Sequence, residues 1–250
     1  MKQSENRKII TGKAAGQWLQ RAEDIIFPGR CPVCDDAVRP FGALICRACA
    51  AKIKYIREPF CAKCGKPLLQ EEKEYCYDCT RKKHFYEKGR ALFEYNSVSA
   101  SIYRFKYGGR QEYAEFYGRC LAEKLGEQIS RWKPDAFVPV PIHRDRMRKR
   151  GYNQAELLAC VAGRELEIPV LPIVERCRKT IPQKKLDDAG RQNNLKKAFK
   201  ICQNDVKLKT IVIIDDIYTT GNTIDAVALE LLRAGCTSIY YVALAIGRGL

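Results

Sequence analysis

Apolar and polar positions follow two periods in the part of the chain beyond residue 87. Helical spacing of the apolar residues predicts helices over 112–131, 153–166 and 224–232. Short apolar runs between them predict strands. These runs lie at 90–95, 135–141, 168–171, 211–214 and 238–246. Strands and helices that alternate in this way are typical of an α/β domain with a parallel sheet.

The apolar run at 211–214 is followed by two acids and a loop of hydroxyls. Asp215 and Asp216 are expected at the carboxyl end of a buried strand, where open α/β sheets bind ligands. The loop 219–223 leads into a helix, whose unpaired N–H groups and dipole favour a phosphate. Two acids beside it can accept hydrogen bonds from the vicinal hydroxyls of a sugar. The stretch therefore indicates a ribose 5-phosphate site. The alternative is a buried strand before an ordinary capped helix, with solvated acids.

Residues 211–223, IVIIDDIYTTGNT, resemble the phosphoribosyl pyrophosphate (PRPP) signature of type I phosphoribosyltransferases at all thirteen positions. The resemblance implies a type I phosphoribosyltransferase-like fold, with magnesium bound alongside PRPP. Asp215 and Asp216 are then the catalytic candidates, because they would stabilise positive charge at the anomeric carbon. The residues expected to bind PRPP are Asp215, Asp216, Tyr218, Thr219, Thr220, Gly221, Asn222 and Thr223.

Two basic segments are candidates for holding the pyrophosphate. One follows the strand 135–141 and is dense in arginine and lysine between residues 144 and 150. A solvated basic face or a nucleic-acid patch is an equally good interpretation of this segment. The other, 175–199, is long and lacks periodicity, which indicates a functional lid or a disordered segment. The resemblance implies a loop that closes over the substrate, and Lys184 and Lys185 are further candidates within it. The pyrophosphate and lid candidates are His143, Arg144, Arg176, Lys179 and Arg191.

Eight of the 13 cysteines form four CxxC pairs that begin at a constant step of 15 residues. In a reducing compartment such pairs are typical of structural zinc, because two pairs complete a tetrahedron of thiolates. The eight are Cys31, Cys34, Cys46, Cys49, Cys61, Cys64, Cys76 and Cys79. We expect two zinc ions bound by consecutive pairs; interleaved pairing is the alternative. Chelators are expected to unfold this region and largely spare the α/β domain.

The remaining cysteines lack a partner at a regular spacing and are predicted to be small buried hydrophobic residues. They are Cys120, Cys160, Cys177, Cys202 and Cys236. The net charge of +16 favours anionic partners. Residues 1–27 carry charges throughout and do not resemble a signal peptide, and no apolar run approaches the ~20 residues of a membrane helix. We therefore expect a cytoplasmic protein that is not an integral membrane protein.

The order of the motifs resembles the ComF/GntX family from about residue 27 to the C-terminus. It is carried by the cysteine pairs, KYGGR at 106–110, VPVPIHRDRMRKRGYNQA at 138–155, RKTIPQ at 178–183, RQNNLKKAF at 191–199 and the PRPP signature. The predicted domains are an amphipathic N-terminal helix (1–26), a double zinc ribbon (27–86) and a phosphoribosyltransferase-like domain (87–250).

The resemblance implies a role in bacterial DNA uptake, or competence. Two classes of function are consistent with these residues. One is an enzyme that transfers phosphoribose from PRPP to an unknown acceptor and releases pyrophosphate. The other is a non-catalytic adaptor that senses PRPP or a nucleotide and binds single-stranded DNA, together with proteins of the DNA-uptake machinery. The PRPP signature favours the first class and the basic charge favours the second.

Overall fold

The computed structural model describes residues 29–39, 42–177, 198–202 and 207–247. The chain divides into two compact units between Ile53 and Lys54, so the division falls between the two cysteine clusters of the predicted ribbon. The predicted helix over 1–26 and the lid candidates Lys179 and Arg191 lie outside the described residues, as do Lys184 and Lys185.

Each unit contains one CxxC–CxxC module, and the backbone of the module repeats at an offset of 30 residues. In the first unit, Arg30 bridges Ala37, and in the second Phe60 bridges Pro67. Each module ends in a short helix directly after its third cysteine. These helices are α1 (Arg47–Ala50) and α2 (Tyr77–Arg81). Consecutive pairs of cysteines therefore form one module each.

A four-stranded parallel sheet forms the centre of the second unit, with the strand order β1-β6-β5-β2. The strands are β1 (Lys88–Glu94), β2 (Ala136–Pro139), β5 (Thr210–Tyr218) and β6 (Ser238–Ile246). Ile211, Val212 and Ile213 are fully buried because β5 is a central strand covered on both faces. A separate antiparallel pair consists of β3 (Val174–Arg176) and β4 (Phe199–Ile201).

Helices connect the strands of the sheet. They are α3 (Tyr95–Tyr107), α4 (Tyr113–Trp132), α5 (Arg144–Arg150), α6 (Gln154–Leu166) and α7 (Asn222–Arg233). The predicted α/β class with a parallel sheet and an N-terminal cysteine-rich region is thus confirmed. No helix was predicted at α3 or α5. The predicted strand at 168–171 was wrong, because Val170 forms only a bridge with Phe137.

The second cysteine module packs into the same core as the sheet. Cys61 and Cys64 are buried in one cluster with Tyr86 and Tyr241. Tyr241 in β6 donates a hydrogen bond to the Cys64 carbonyl at 2.6 Å. Gly89 in β1 allows this approach, because a Cβ there would lie 1.8 Å from the Tyr241 ring. The second module is therefore part of the packing of the α/β unit.

The five cysteines outside the modules differ in burial. Cys120 and Cys236 are buried, as predicted. Cys160, Cys177 and Cys202 are exposed, so that prediction was wrong for these three. Cys160 lies on the solvent-facing side of α6, so its side chain is exposed although it is small and apolar. Among the residues that the structure describes, no helix is both long and apolar enough to span a membrane.

Candidate functional site

A cleft of about 290 Å³ opens at the carboxyl ends of β2 and β5. Parallel strands bring their carboxyl ends to the same edge of a sheet, which is the usual ligand side of α/β folds. Asp215 and Asp216 line the cleft together with Thr219 and Thr223. Four cationic side chains surround them: Lys106, Arg146, Arg150 and Arg176. The cleft therefore combines two acids with an excess of positive charge.

The two adjacent acids have different environments. Asp216 is 8% exposed and forms an ion pair with Lys106, with 2.9 Å between Nζ and Oδ1. Asp215 is half-buried at the cleft, and its Oδ1 accepts a hydrogen bond from the Asp216 N–H at 2.8 Å. Burial, and then the charge of Asp216, raise the pKa of Asp215 to about 8, while Lys106 opposes the rise. Burial and the neighbouring carboxylate thus favour the protonated form of Asp215, whereas a bound ligand or cation would favour its ionised form.

Two arginines of the cleft lose part of their hydration. Burial, and then the nearby charge of Arg146, lower the pKa of Arg176 to about 10, while Asp215 opposes the decrease. Burial also lowers the pKa of Arg150, against the attraction of Asp216. Both remain charged at neutral pH. Charges with little hydration attract an anion more strongly than solvated surface charges do.

The hydroxyl loop is held at the N-terminus of α7. Gly221 is the N-cap residue and has a φ of 77°, a left-handed conformation that favours glycine. A Cβ at this position would also lie 2.6 Å from the Tyr218 hydroxyl. The Thr220 Oγ1 is buried and has no hydrogen-bond partner among the described residues. A buried hydroxyl of this kind beside a helix N-terminus fits a phosphate oxygen.

The segment after the second cysteine module anchors this loop. Lys82 Nζ donates to the side chains of Asn222 and Asp225 and lies 3.4 Å from the Thr220 carbonyl. Asp225 also accepts the Phe85 N–H at 3.0 Å, and His84 Nδ1 lies 3.0 Å from its Oδ2. We call residues 80–86 the anchoring segment. It connects the last cysteine of the module to the candidate phosphate loop.

Six of the described residues predicted for the site lie outside the lining of the cleft: Tyr218, Thr220, Gly221, Asn222, His143 and Arg144. Tyr218 is buried; its ring stacks on Tyr241 at 4.6 Å and its hydroxyl bonds to that of Tyr86. His143 is the N-cap of α5, where Nδ1 accepts the N–H of Asp145 at 3.2 Å. Arg144 is exposed at the start of α5. Asp215, Asp216, Thr219, Thr223 and Arg176 are brought together.

Several residues of the cleft were not among the predicted site residues. Lys106 and Tyr107 enter it from the end of α3, and Arg146 and Arg150 from α5. Gln154 is 1% exposed, and its Nε2 has no hydrogen-bond partner among the described residues. The sequence signal for the three cations was the basic density of KYGGR and of 144–150, the second of which was a pyrophosphate candidate. This density does not show which cations point inward.

The eight predicted zinc ligands form two groups, and in each group the four sulfur atoms lie within 4.8 Å of one another. The groups join consecutive CxxC pairs, in agreement with the sequential pairing and not with the interleaved one. Four thiolates at this spacing are the donor set of a closed tetrahedral zinc site. Hydrogen bonds from Cys64, Cys76 and Cys79 lower the pKa of Cys61, so the cluster favours a thiolate. The residues therefore fit structural zinc.

Comparison with known proteins places these features in a family. A family model described as "Double zinc ribbon domain" matches residues 22–80. "Competence protein F" of Haemophilus influenzae (strain ATCC 51907 / DSM 11121 / KW20 / Rd) is 32% identical over 202 residues, which cover 78% of this chain and 87% of the relative. The chain belongs to the ComF family.

Other relatives agree with this placement of the ComF-family protein. "DNA utilization protein YhgH" of Escherichia coli (strain K12) is 29% identical over 224 residues, covering 86% of this chain and 96% of the relative. "Competence protein ComFC" of Bacillus subtilis (strain 168) is 28% identical over 203 residues, covering 76% and 79%. These matches each extend over three quarters or more of the chain.

A solved structure also overlaps with part of the ComF-family chain. It is the purine phosphoribosyltransferase from Pyrococcus horikoshii Ot3, at 21% identity and a TM-score of 0.32. The overlap covers 54% of this chain and 73% of that chain.

Proposed function

We propose that this ComF-family protein binds PRPP with magnesium and acts as a phosphoribosyltransferase-like protein in DNA uptake during natural transformation. The observation that carries the proposal is the cleft itself. Asp215 and Asp216 share it with Thr219 and Thr223, and four cations surround them. A phosphorylated sugar with vicinal hydroxyls and a pyrophosphate matches this arrangement of acids, hydroxyls and positive charge.

The 5-phosphate of PRPP is assigned to the loop 219–223. The N-terminus of α7 directs its N–H groups and the positive end of its dipole towards this loop. Thr219 and Thr223 line the cleft, and the Thr220 hydroxyl beside them is buried without a hydrogen-bond partner among the described residues. The ribose hydroxyls would then lie against the carboxylate of Asp215, which is half-buried in β5, directly before this loop.

The pyrophosphate is assigned to the side of the cleft formed by α5 and α6. Arg146 and Arg150 supply positive charge there, and Gln154 supplies a buried amide donor that has no partner among the described residues. Carboxylate oxygens are ligands that Mg²⁺ accepts, commonly one or two together with substrate phosphates, so the two acids suit the ion. Bound magnesium would neutralise charge on the pyrophosphate.

Transfer would break the bond between the anomeric carbon and the pyrophosphate oxygen. The electron pair leaves with pyrophosphate, and a lone pair of the acceptor forms the new bond to carbon. Positive charge develops on the sugar between these events, and the carboxylates at the end of β5 stabilise it electrostatically. The cations around the cleft stabilise the departing anion. The acceptor is a nucleophile whose identity these residues leave open.

Calorimetry of PRPP binding tests the proposal. PRPP with magnesium should bind the wild type, and at ~100 times the dissociation constant it should stabilise the fold by about 2.7 kcal/mol. The double variant Asp215→Asn/Asp216→Asn should bind more weakly, because an amide accepts hydroxyls less strongly than a carboxylate. Glu230→Gln on the solvent side of α7 is the matched control. If the double Asn variant retains wild-type affinity, the acids do not hold the ribose.

A second candidate is a cytoplasmic adaptor that binds single-stranded DNA and the DNA-uptake machinery without catalysis. It is supported by the exposed cations Arg146, Arg148 and Lys149 on α5 and by relatives named for competence and DNA utilization. Turnover of isotope-labelled PRPP with pooled bases and DNA separates the two candidates. Release of pyrophosphate supports the enzyme, whereas binding without turnover supports the adaptor.

A further inference from the structure

We propose that Tyr103 and Tyr107 form a stacking platform for an unpaired base of single-stranded nucleic acid. The proposal rests on the adaptor candidate, since it names where the strand binds. It does not depend on PRPP turnover. We call the two tyrosines the tyrosine pair.

The tyrosine pair is unusually exposed for two large aromatic side chains. Tyr103 is 65% exposed and Tyr107 is 66% exposed. Both are on α3, one helical turn apart, and their ring centroids are 5.0 Å apart with the planes inclined at 49°. The apolar face of the same helix is already buried through Val98, Ile102 and Phe105. The pair therefore plays little part in the core and presents aromatic surface to solvent.

A cationic pocket adjoins the tyrosine pair. It has a volume of about 360 Å³ and is lined by Lys106, Tyr107, Gly109, Arg146, Lys149 and Arg150. Four of these six residues are cations and none carries a carboxylate. The Arg150 guanidinium lies over the Tyr107 ring, 5.1 Å from its centroid. Aromatic surface is thus joined directly to positive charge.

This combination has a specific chemical meaning. Proteins hold single strands by stacking bases on aromatic rings while cations track the phosphates. The charge of the pocket complements a phosphate backbone, and its tyrosine supplies the stacking surface for a base. A duplex hides the faces of its bases, so it would engage the cations but not the rings. An apolar peptide would use the rings but would gain nothing from the four cations.

The platform lies at the entrance to the candidate active site. Lys106, Tyr107, Arg146 and Arg150 line both the cationic pocket and the cleft that contains Asp215. A strand bound on the tyrosine pair would therefore have a phosphate beside the cleft. PRPP and the strand would compete for the cations that the two sites share.

Fluorescence anisotropy with a labelled oligothymidylate tests the platform. Tyr107→Ala and Tyr103→Ala are expected to lower the affinity by about 5- to 150-fold each, the range for loss of one stacked base. Tyr107→Trp should retain the affinity. The slope of log affinity against log salt should stay unchanged in the tyrosine variants, because every cation that neutralises a phosphate is still present, whereas Lys149→Ala should flatten it by about 0.7.

Tyr77→Ala is the matched control. Tyr77 is 60% exposed and has an arginine over its ring at 4.6 Å, but it lies on the second cysteine module. Its loss should leave oligothymidylate affinity unchanged. A loss at Tyr77 with none at Tyr103 or Tyr107 would overturn the proposal and place the strand on the module.

Two further measurements separate the possible failures. Binding of a duplex of the same length should be insensitive to the tyrosine substitutions, and an equal loss for duplex contradicts stacking. PRPP affinity is measured for Tyr103→Ala, since Tyr103 does not line the cleft. If PRPP and strand affinities fall together in that variant, the substitution disturbs the cleft and the platform is wrong. If the wild type binds PRPP but no oligothymidylate in low salt, the platform fails and the proposed PRPP site stands.

Discussion

Lys82 Nζ donates to the Asp225 carboxylate at 2.7 Å, so the anchoring segment is connected directly to the helix of the candidate phosphate loop. Asp225 also faces His84 and accepts the Phe85 N–H. Burial by itself would raise the pKa of Asp225, but the hydrogen bond and charge of His84 and the charge of Lys82 lower it overall. The free energy from this pairing is present above the unfolded pKa of the carboxyl and is lost as pH falls through the folded pKa.

Asp225→Ala is therefore expected to destabilise the α/β unit by about 3–5 kcal/mol, because it leaves a partly buried lysine without its carboxylate partner. The midpoint of thermal unfolding should fall by about 2–4 °C for each kcal/mol. Glu230→Ala removes an ion pair with Arg233 at the surface of the same helix and should change stability by less than about 1 kcal/mol. Equal effects of the two substitutions contradict the importance of the Asp225 pairing.

Loss of Lys82 should also weaken ligand binding. Its Nζ contacts Thr220, Asn222 and Asp225, so Lys82→Met removes the cation that holds the loop in place. We expect PRPP affinity to fall about tenfold, comparable to one charge-assisted hydrogen bond of about 1.5 kcal/mol. Hydrogen exchange of the amides at 219–223 should become faster in this variant. Unchanged exchange would show that the loop keeps its conformation without the anchoring segment.

Zinc removal should affect the two units differently. We expect two zinc ions per chain by metal analysis, and one fewer in either Cys31→Ser/Cys34→Ser or Cys61→Ser/Cys64→Ser. The sequence alone suggested that chelation would spare the α/β domain. Because Cys61 and Cys64 pack in the core of the sheet, the second double variant should lower the denaturant midpoint of the α/β unit, and the first should not. Equal denaturant midpoints in the two variants would show that the second module does not contribute to the stability of the α/β unit.

The raised pKa of Asp215 predicts a pH-dependent affinity for PRPP. Ribose hydroxyls bind the ionised carboxylate, which is scarce below a pKa of about 8. Linkage gives a gain in affinity of roughly 50-fold from pH 6 to pH 8 for this one group. Calorimetry at several pH values measures it. Asp215→Asn should bind weakly and show only the titration of PRPP itself; a pH profile parallel to that of the wild type contradicts this role of Asp215.

The same shift has the opposite consequence for the protein without ligand. A carboxyl with a raised folded pKa binds its proton more tightly in the folded state, so stability falls as pH rises from about 4 to about 8. Asp215→Asn should therefore raise the unfolding temperature, by a margin that grows over this range. A margin independent of pH would mean that the carboxyl is not desolvated.

Charge reversal on α5 tests the contribution of its exposed cations to DNA binding. Arg146→Glu, Arg148→Glu and Lys149→Glu together should weaken oligothymidylate binding and flatten the salt slope by about 0.7 for each phosphate that is no longer neutralised. The matched control reverses Lys133, Lys207 and Lys209, which precede β2 and β5 and so lie towards the opposite edge of the sheet. It carries the same change in net charge. An equal loss of oligothymidylate affinity in both triple variants would show that DNA responds to the net charge of the protein and not to a site on α5.

PRPP affinity should be measured in the same α5 variant, because Arg146 lines both the cleft and the cationic pocket. Loss of both affinities, with competition between PRPP and DNA in the wild type, indicates one shared anion site. Loss of DNA binding alone places pyrophosphate on other residues of the cleft.

Local patterns sufficed for the four strands of the parallel sheet, for α4, α6 and α7, and for the cysteine modules. The apolar run 211–214 predicted a buried central strand, and β5 is that strand, extended through the acids to Tyr218 because β6 pairs with it throughout. The constant spacing of the CxxC pairs predicted two metal sites, and short-range chelation needs only residues within about 20 positions. These features depend on residues that are close together in the chain, so the sequence alone is sufficient to predict them.

Helices with weak or misleading local signals were missed. The sequence of α3 is rich in serine and tyrosine, which lower helix propensity; the helix forms because Val98, Ile102 and Phe105 bury one face. In α5 the run of cations hides any apolar period, and the cap of His143 and the left-handed Gly151 define its ends.

Only the tertiary structure determines which cations lie beside the acids. Lys106 pairs with Asp216 and Lys82 reaches Asp225, although each pair is separated by more than a hundred positions in the chain. A charge excess of +16 shows that an anion is favoured, but it does not distinguish an inward-facing lysine from a solvated one. Ion pairing depends on distance and desolvation. Both arise only when the sheet brings the end of α3, the anchoring segment and the end of β5 together.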